Sequence, residues 1–166
     1  MILAARQIDD RDLDELQAVA YHEAGHAVCA LAFRCKVDSV SIRHDPQANT
    51  WGSVWCDPPL TQVRQIAIAV SGYIAEQVCR RVIVTNLDDD AKDMRDVLRA
   101  LRSTYPADVP PYSDEFAAGI LLALKVITQH KKAVKRIANR LLAVTDLDGA
   151  AVRRLARIEG RYATTR

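Results

Sequence analysis

Residues 20–28 read AYHEAGHAV, with two histidines four positions apart and a glutamate directly after the first. On a helix, positions i and i+4 share a face, so His22 and His26 can turn both imidazoles toward one point. Glu23 lies about 100° around the helix from His22. It can flank that point without joining it. H-E-x-x-H is the pattern of two zinc ligands followed by a general base for a water molecule. The motif is short and also occurs by chance in unrelated chains. Against chance stands the cost of two histidines, a glutamate and a glycine inside an otherwise apolar helix, unless they share a task. Ala24 and Gly25 are small, so a facing backbone can approach closely.

The flanking sequence supplies the helix that the motif needs. Leu13, Leu16, Val19, Ala20, Ala27 and Leu31 recur at helical spacing, and acidic residues crowd the start, which predicts a helix over 9–33. Beyond it, 36–44 alternates as a strand and 50–57 forms a second, joined by turn residues 45–49. A buried helix is expected over 61–80 with Thr61 at its N-cap. Further helices are expected over 88–102, 113–129, 131–145 and 149–158, with a proline-rich break at 104–113. The fold class is therefore α+β, mainly α. It is one domain over 1–166, with a small β-hairpin or sheet and a C-terminal helical part at about 113–158.

Composition narrows the function. The chain has 166 residues, 49% hydrophobic and 27% charged, which is ordinary globular chemistry. A formal net charge of +2 is too near neutral to point to nucleic acid. No run approaches the roughly 20 apolar residues of a membrane span. No G-x-x-x-x-G-K-[ST] loop is present. The four cysteines, at 29, 35, 56 and 79, form no C-x-x-C pair. With an acidic N-terminal stretch in place of a secretory segment, the expectation is four reduced thiols in a cytoplasmic protein.

A catalytic zinc takes three protein ligands and leaves one position open. The third ligand has to come from elsewhere in the chain. Glu76, the run Asp88-Asp89-Asp90, Asp93, Asp96, His44 and His130 are the candidates. A lone histidine is more often a hydrogen-bonded residue than a ligand, which counts against His44 and His130. Glu76 lies within the predicted buried helix, where a carboxylate needs a partner. The N–H of a metal-bound imidazole is a natural one.

With these pieces in order, the chain resembles the peptidase domain of the FtsH family, membrane-anchored ATP-dependent zinc metalloproteases. VAYHEAGHAV (19–28) carries the resemblance most strongly. VDSVSIRHDPQANTWGSVWCDPP (37–59) is similar to the family's Val-Ser-Ile strand and the Gly-containing strand after it. IAVSGYIAEQV (68–78) is similar to its Gly-Gly-Arg-x-Ala-Glu-Glu helix, with Ser71-Gly72 in place of Gly-Gly. LDDDAKDMRDVLRAL (87–101) stands where the family has Ser-Asn-Asp-Leu-x-x-Ala-Thr, and HKKAVKRIANRLLAVTDLDGAAVRRL (130–155) is similar to its closing helices.

The resemblance implies a helical, zincin-like metallopeptidase domain. It implies Zn²⁺ held by His22, His26 and an aspartate of the acidic segment, with Glu23 as the catalytic base. In the family that aspartate is followed by small or apolar residues at +1, +4 and +8. Placed on Asp90 these are Ala91, Met94 and Leu98; placed on Asp89 they are Asp90, Asp93 and Val97. Asp90 is the expected ligand and Asp89 the runner-up. Glu76 falls on a family glutamate and is expected to support a ligand rather than to bind metal. The family's motor and membrane helices have no counterpart here. The expected substrate is thus a polypeptide that is short, unfolded or delivered by a separate ATPase or adaptor, and an oligomer is compatible with the resemblance. The alternative is a zinc-binding regulatory or interaction module without protease activity of its own.

Overall fold

The structure is a computed structural model that describes residues 10–45, 50–55, 60–80 and 114–158. The helix expected over 88–102, and with it Asp88, Asp89, Asp90, Asp93 and Asp96, lies outside the described residues.

The motif helix, α1 (Asp10–Ala32), is the central element. Its inner surface is built from small side chains. Ala20, Ala24, Ala27, Val28, Cys29, Ala30 and Ala32 are almost fully buried. α1 ends in a Schellman-type turn. Cys35 N–H donates to the Ala30 carbonyl (2.9 Å) and Arg34 N–H to the Leu31 carbonyl (3.0 Å). Arg34 takes the left-handed conformation, φ 64°, that glycine more often fills.

The turn leads into β1 (Lys36–Asp45), which pairs antiparallel with β2 (Thr50–Trp55). A register shift between Val37 and Ser39 interrupts the alternation. Val37 and Val40 are three apart, yet both face the core, with Ile42 following in step. α2 (Gln62–Arg80) then crosses α1. The Thr61 carbonyl accepts from the N–H groups of Arg64 and Gln65, which starts α2 one residue beyond the predicted cap. Arg80, at the far end of α2, pairs with Asp14 of α1.

Three helices close the structure: α3 (Asp114–Gln129), α4 (Lys131–Val144) and α5 (Gly149–Ala156). Between α4 and α5 lies a strand that the sequence reading lacks, β3 (Asp146–Asp148). It pairs antiparallel with β1, Val40 opposite Leu147, so the sheet order is β2-β1-β3. Asp148 ends β3 and caps α5, its carboxylate accepting from Ala151 N–H at 2.7 Å. A side chain at Gly149 would collide with the Val37 carbonyl, so this turn can lie on β1 only as glycine. A single apolar cluster draws on α1 through α5, β1 and β3.

These elements match the α+β, mainly α expectation. No described helix is long and apolar enough to cross a membrane. The cysteine expectation needs correction. Cys29 and Cys79 are free and buried, but Cys35 is disulfide-bonded to a partner outside the described residues. The lack of a C-x-x-C pair says nothing about cysteines brought together by folding. The thiols therefore no longer argue for a reducing compartment.

Candidate metal centre

The centre is built where α1 and α2 touch, and two glycines allow the contact. A Cβ at Gly25 would stand 2.5 Å from the Ser71 carbonyl oxygen and 2.6 Å from Ala75 Cβ. Bare backbone at this point lets α2 lie against the two histidines. A Cβ at Gly72 would stand 2.6 Å from His26 Nε2 and 2.7 Å from His22 Nε2. Glycine at 72 therefore lets α2 approach both imidazoles closely.

One turn of α1 brings the rings together. His22 Nε2 and His26 Nε2 are 3.0 Å apart, and the rings meet edge to face at 75°. Each ring is held from behind by α2. His22 Nδ1 lies 2.7 Å from Glu76 Oε1, and His26 Nδ1 lies 2.7 Å from the Ile68 carbonyl oxygen. Ser71 donates its hydroxyl to the same carbonyl at 2.7 Å.

These partners determine the tautomers. A carbonyl oxygen can only accept, so His26 Nδ1 carries the hydrogen. The Glu76 carboxylate likewise takes a hydrogen from His22 Nδ1. In the neutral rings both Nε2 atoms then present lone pairs to each other across 3.0 Å. Only a shared proton or a cation relieves that opposition.

The electrostatics follow from burial. Burial, joined by the nearby His22 charge, lowers the His26 pKa to about 4, against the pull of the Ile68 hydrogen bond. At His22 burial also works against the charged ring. There the Glu76 hydrogen bond and the charges of Glu76 and Glu23 outweigh it, and the pKa is raised. Glu23 is pushed up to about 7, chiefly by burial and further by the charge of Glu76, with His22 pulling the other way. Its side chain makes no hydrogen bond or ion pair among the described residues. Glu23 lines a pocket of about 290 Å³ together with His22, Glu76, Glu15, Ala18 and Val19.

The residues fit a zinc ion on several counts. Two imidazole nitrogens with outward-pinned Nδ1–H groups are the usual zinc donors, and a carboxylate behind one of them is a frequent companion. Two such nitrogens on a tetrahedral ion sit about 3.3 Å apart, close to the 3.0 Å seen here. Among the described residues no third His, Cys, Asp or Glu completes a metal-holding group with the pair. Asp90 and Asp89 fall outside those residues. Of the other candidates, Glu76 is turned to the back of His22 and His130 stands at the head of α4. His44 is a residue of β1.

Ser71, Gly72 and the Ile68 carbonyl are the parts of the centre that the sequence reading did not assign. A Ser-Gly pair inside an apolar helical run was the available signal. Compared with models of known protein families and with curated proteins, the chain matches none.

Proposed function

We propose that this chain is a zinc metalloendopeptidase, hydrolysing peptide bonds in the manner its resemblance to FtsH peptidase domains implies. The observation that carries the reading is the pair of Nε2 atoms 3.0 Å apart on one turn of α1. Both rings are held by α2 through Nδ1, and the largely buried Glu23 side chain stands beside them on the pocket wall.

His22 and His26 would hold the ion through Nε2, and Asp90 is the third ligand by the resemblance. When bound, zinc supplies Lewis-acid chemistry, acidifying a water and polarising the scissile carbonyl. The remaining work belongs to the protein. Glu76 and the Ile68 carbonyl keep each Nδ1 protonated, so that in the neutral ring Nε2 is the atom left to donate an electron pair. Glu23 accepts the proton of the attacking water and passes it to the leaving nitrogen. Burial holds its carboxyl near neutrality, where it can both take and release a proton. β2 pairs only with β1 among the described strands, which leaves an edge for an extended polypeptide to join as a further strand.

Glu23→Gln tests this. The variant should bind zinc like the wild type while its cleavage of an unfolded protein such as casein falls by about 10²–10⁴-fold. Equal cleavage by both proteins would remove Glu23 from the chemistry. A zinc-loaded wild type that unfolds on chelation but cleaves nothing would favour the regulatory-module reading instead.

A further inference from the structure

The pocket beside His22 has one carboxylate, Glu15, that neither supports a histidine nor serves as the proposed base. Three line it, Glu15, Glu23 and Glu76, with Ala18 and Val19 among them. Glu76 is taken by His22. Glu23 is only 9% exposed, lines the pocket and has no hydrogen-bond or ion-pair partner among the described residues. Its side chain is largely buried, but its oxygens are not sealed away and open on the pocket, where a ligand that brings donors or positive charge can meet them. Glu15 is exposed and equally unpaired among those residues, whereas its neighbour Asp14 is neutralised by Arg80.

The helix macrodipole does not account for Glu15. Its effect fades beyond the first turn, and α1 begins at Asp10. Glu15, Val19, His22 and Glu23 instead form one stripe along α1. The pocket thus runs from the His22 imidazole toward the start of the helix, about 10 Å of helix rise. It has a carboxylate at each end and an apolar wall between, and a long cationic side chain has the matching shape and charge.

We propose that this pocket receives a lysine or arginine side chain of the bound polypeptide, its methylene stem on Ala18 and Val19 and its cation at Glu15. The proposal takes its ligand class, a polypeptide, from the peptidase reading. Substrates with a basic residue beside the cleaved bond are then preferred over neutral ones of equal length.

The test uses two peptides that differ only in lysine against norleucine next to the cleavage point. Their binding to the zinc-free protein is measured by calorimetry and their cleavage by the zinc-loaded protein. The wild type should favour the lysine peptide about fivefold in both, less at high salt. Glu15→Gln should bring the ratio to about one, and Glu15→Lys should shift preference to a glutamate-containing peptide. A wild type indifferent to the substitution, or a preference unchanged in Glu15→Gln, overturns the pocket proposal. A binding preference that persists without any cleavage supports the pocket and overturns the peptidase reading alone.

Discussion

His26 shows how one hydrogen bond governs a site. The Ile68 carbonyl can take only a hydrogen, so the far nitrogen of the ring is left as an electron-pair donor. Glu76 does the same for His22 with a charge behind it. Removing that carboxylate should loosen the ring and weaken its basicity. Glu76→Ala is expected to lower zinc affinity by about 10–100-fold, read by competition with a coloured chelator. An unchanged affinity would mean that Glu76 does not orient the ligand. The sequence told much of this in advance. Four-residue spacing placed the two imidazoles together, and a carboxylate in an apolar helix announced a polar partner. It could not reveal the Ile68 carbonyl, because every residue carries one and only the crossing of two helices selects it.

Elements explain where the glycines fall. Gly25 and Gly72 let α1 and α2 meet at the histidines, whereas Gly119 lets α3 meet Ile66 away from them. Gly72→Ala and Gly119→Ala should each cost about 1–3 kcal/mol of stability through overpacking. Only Gly72→Ala should also abolish metal binding, since its methyl occupies the space in front of both Nε2 atoms. Comparable zinc affinity in the two variants would contradict the proposed position of the ion.

The sheet offers a separate test. Asp146 of β3 accepts from the Ser41 hydroxyl at 2.6 Å and pairs with Arg43 at 2.9 Å, both on β1. The Ser41 hydrogen bond, with help from Thr145 and Arg43, holds its carboxyl below the usual aspartate range. The ionised carboxylate therefore adds stability above the unfolded-state pKa, and that stability is lost as pH falls through the lower folded value. Asp146→Asn should lose stability at neutral pH and show a shallower decline in acid. Parallel acid limbs for variant and wild type would show that the link contributes nothing. β3 itself was not legible in sequence. Three residues are too few for a periodic pattern, and their partner lies 105 positions away from Ser41 in the Ser41–Asp146 contact. The long helices and the β1–β2 pair were legible because each repeats its pattern over several turns or alternations.

At the scale of the molecule, α1 sits at the middle of the apolar cluster, and both histidines are among its half-buried residues. Core packing of α2 against α1 is thus also what assembles the centre. An edge strand, the largely buried Glu23 and an acidic pocket lie within this arrangement; the proposed third ligand, Asp90, lies outside the described residues. One measurement bears on all of it: diffraction from crystals grown with zinc, recorded on both sides of the zinc absorption edge. One anomalous peak is expected about 2.0–2.1 Å from both His22 Nε2 and His26 Nε2, with an Asp90 oxygen as third ligand and Glu23 beside the open position. A zinc-soaked crystal with no peak between those nitrogens, or with the two imidazoles simply sharing a proton, would contradict the proposed centre.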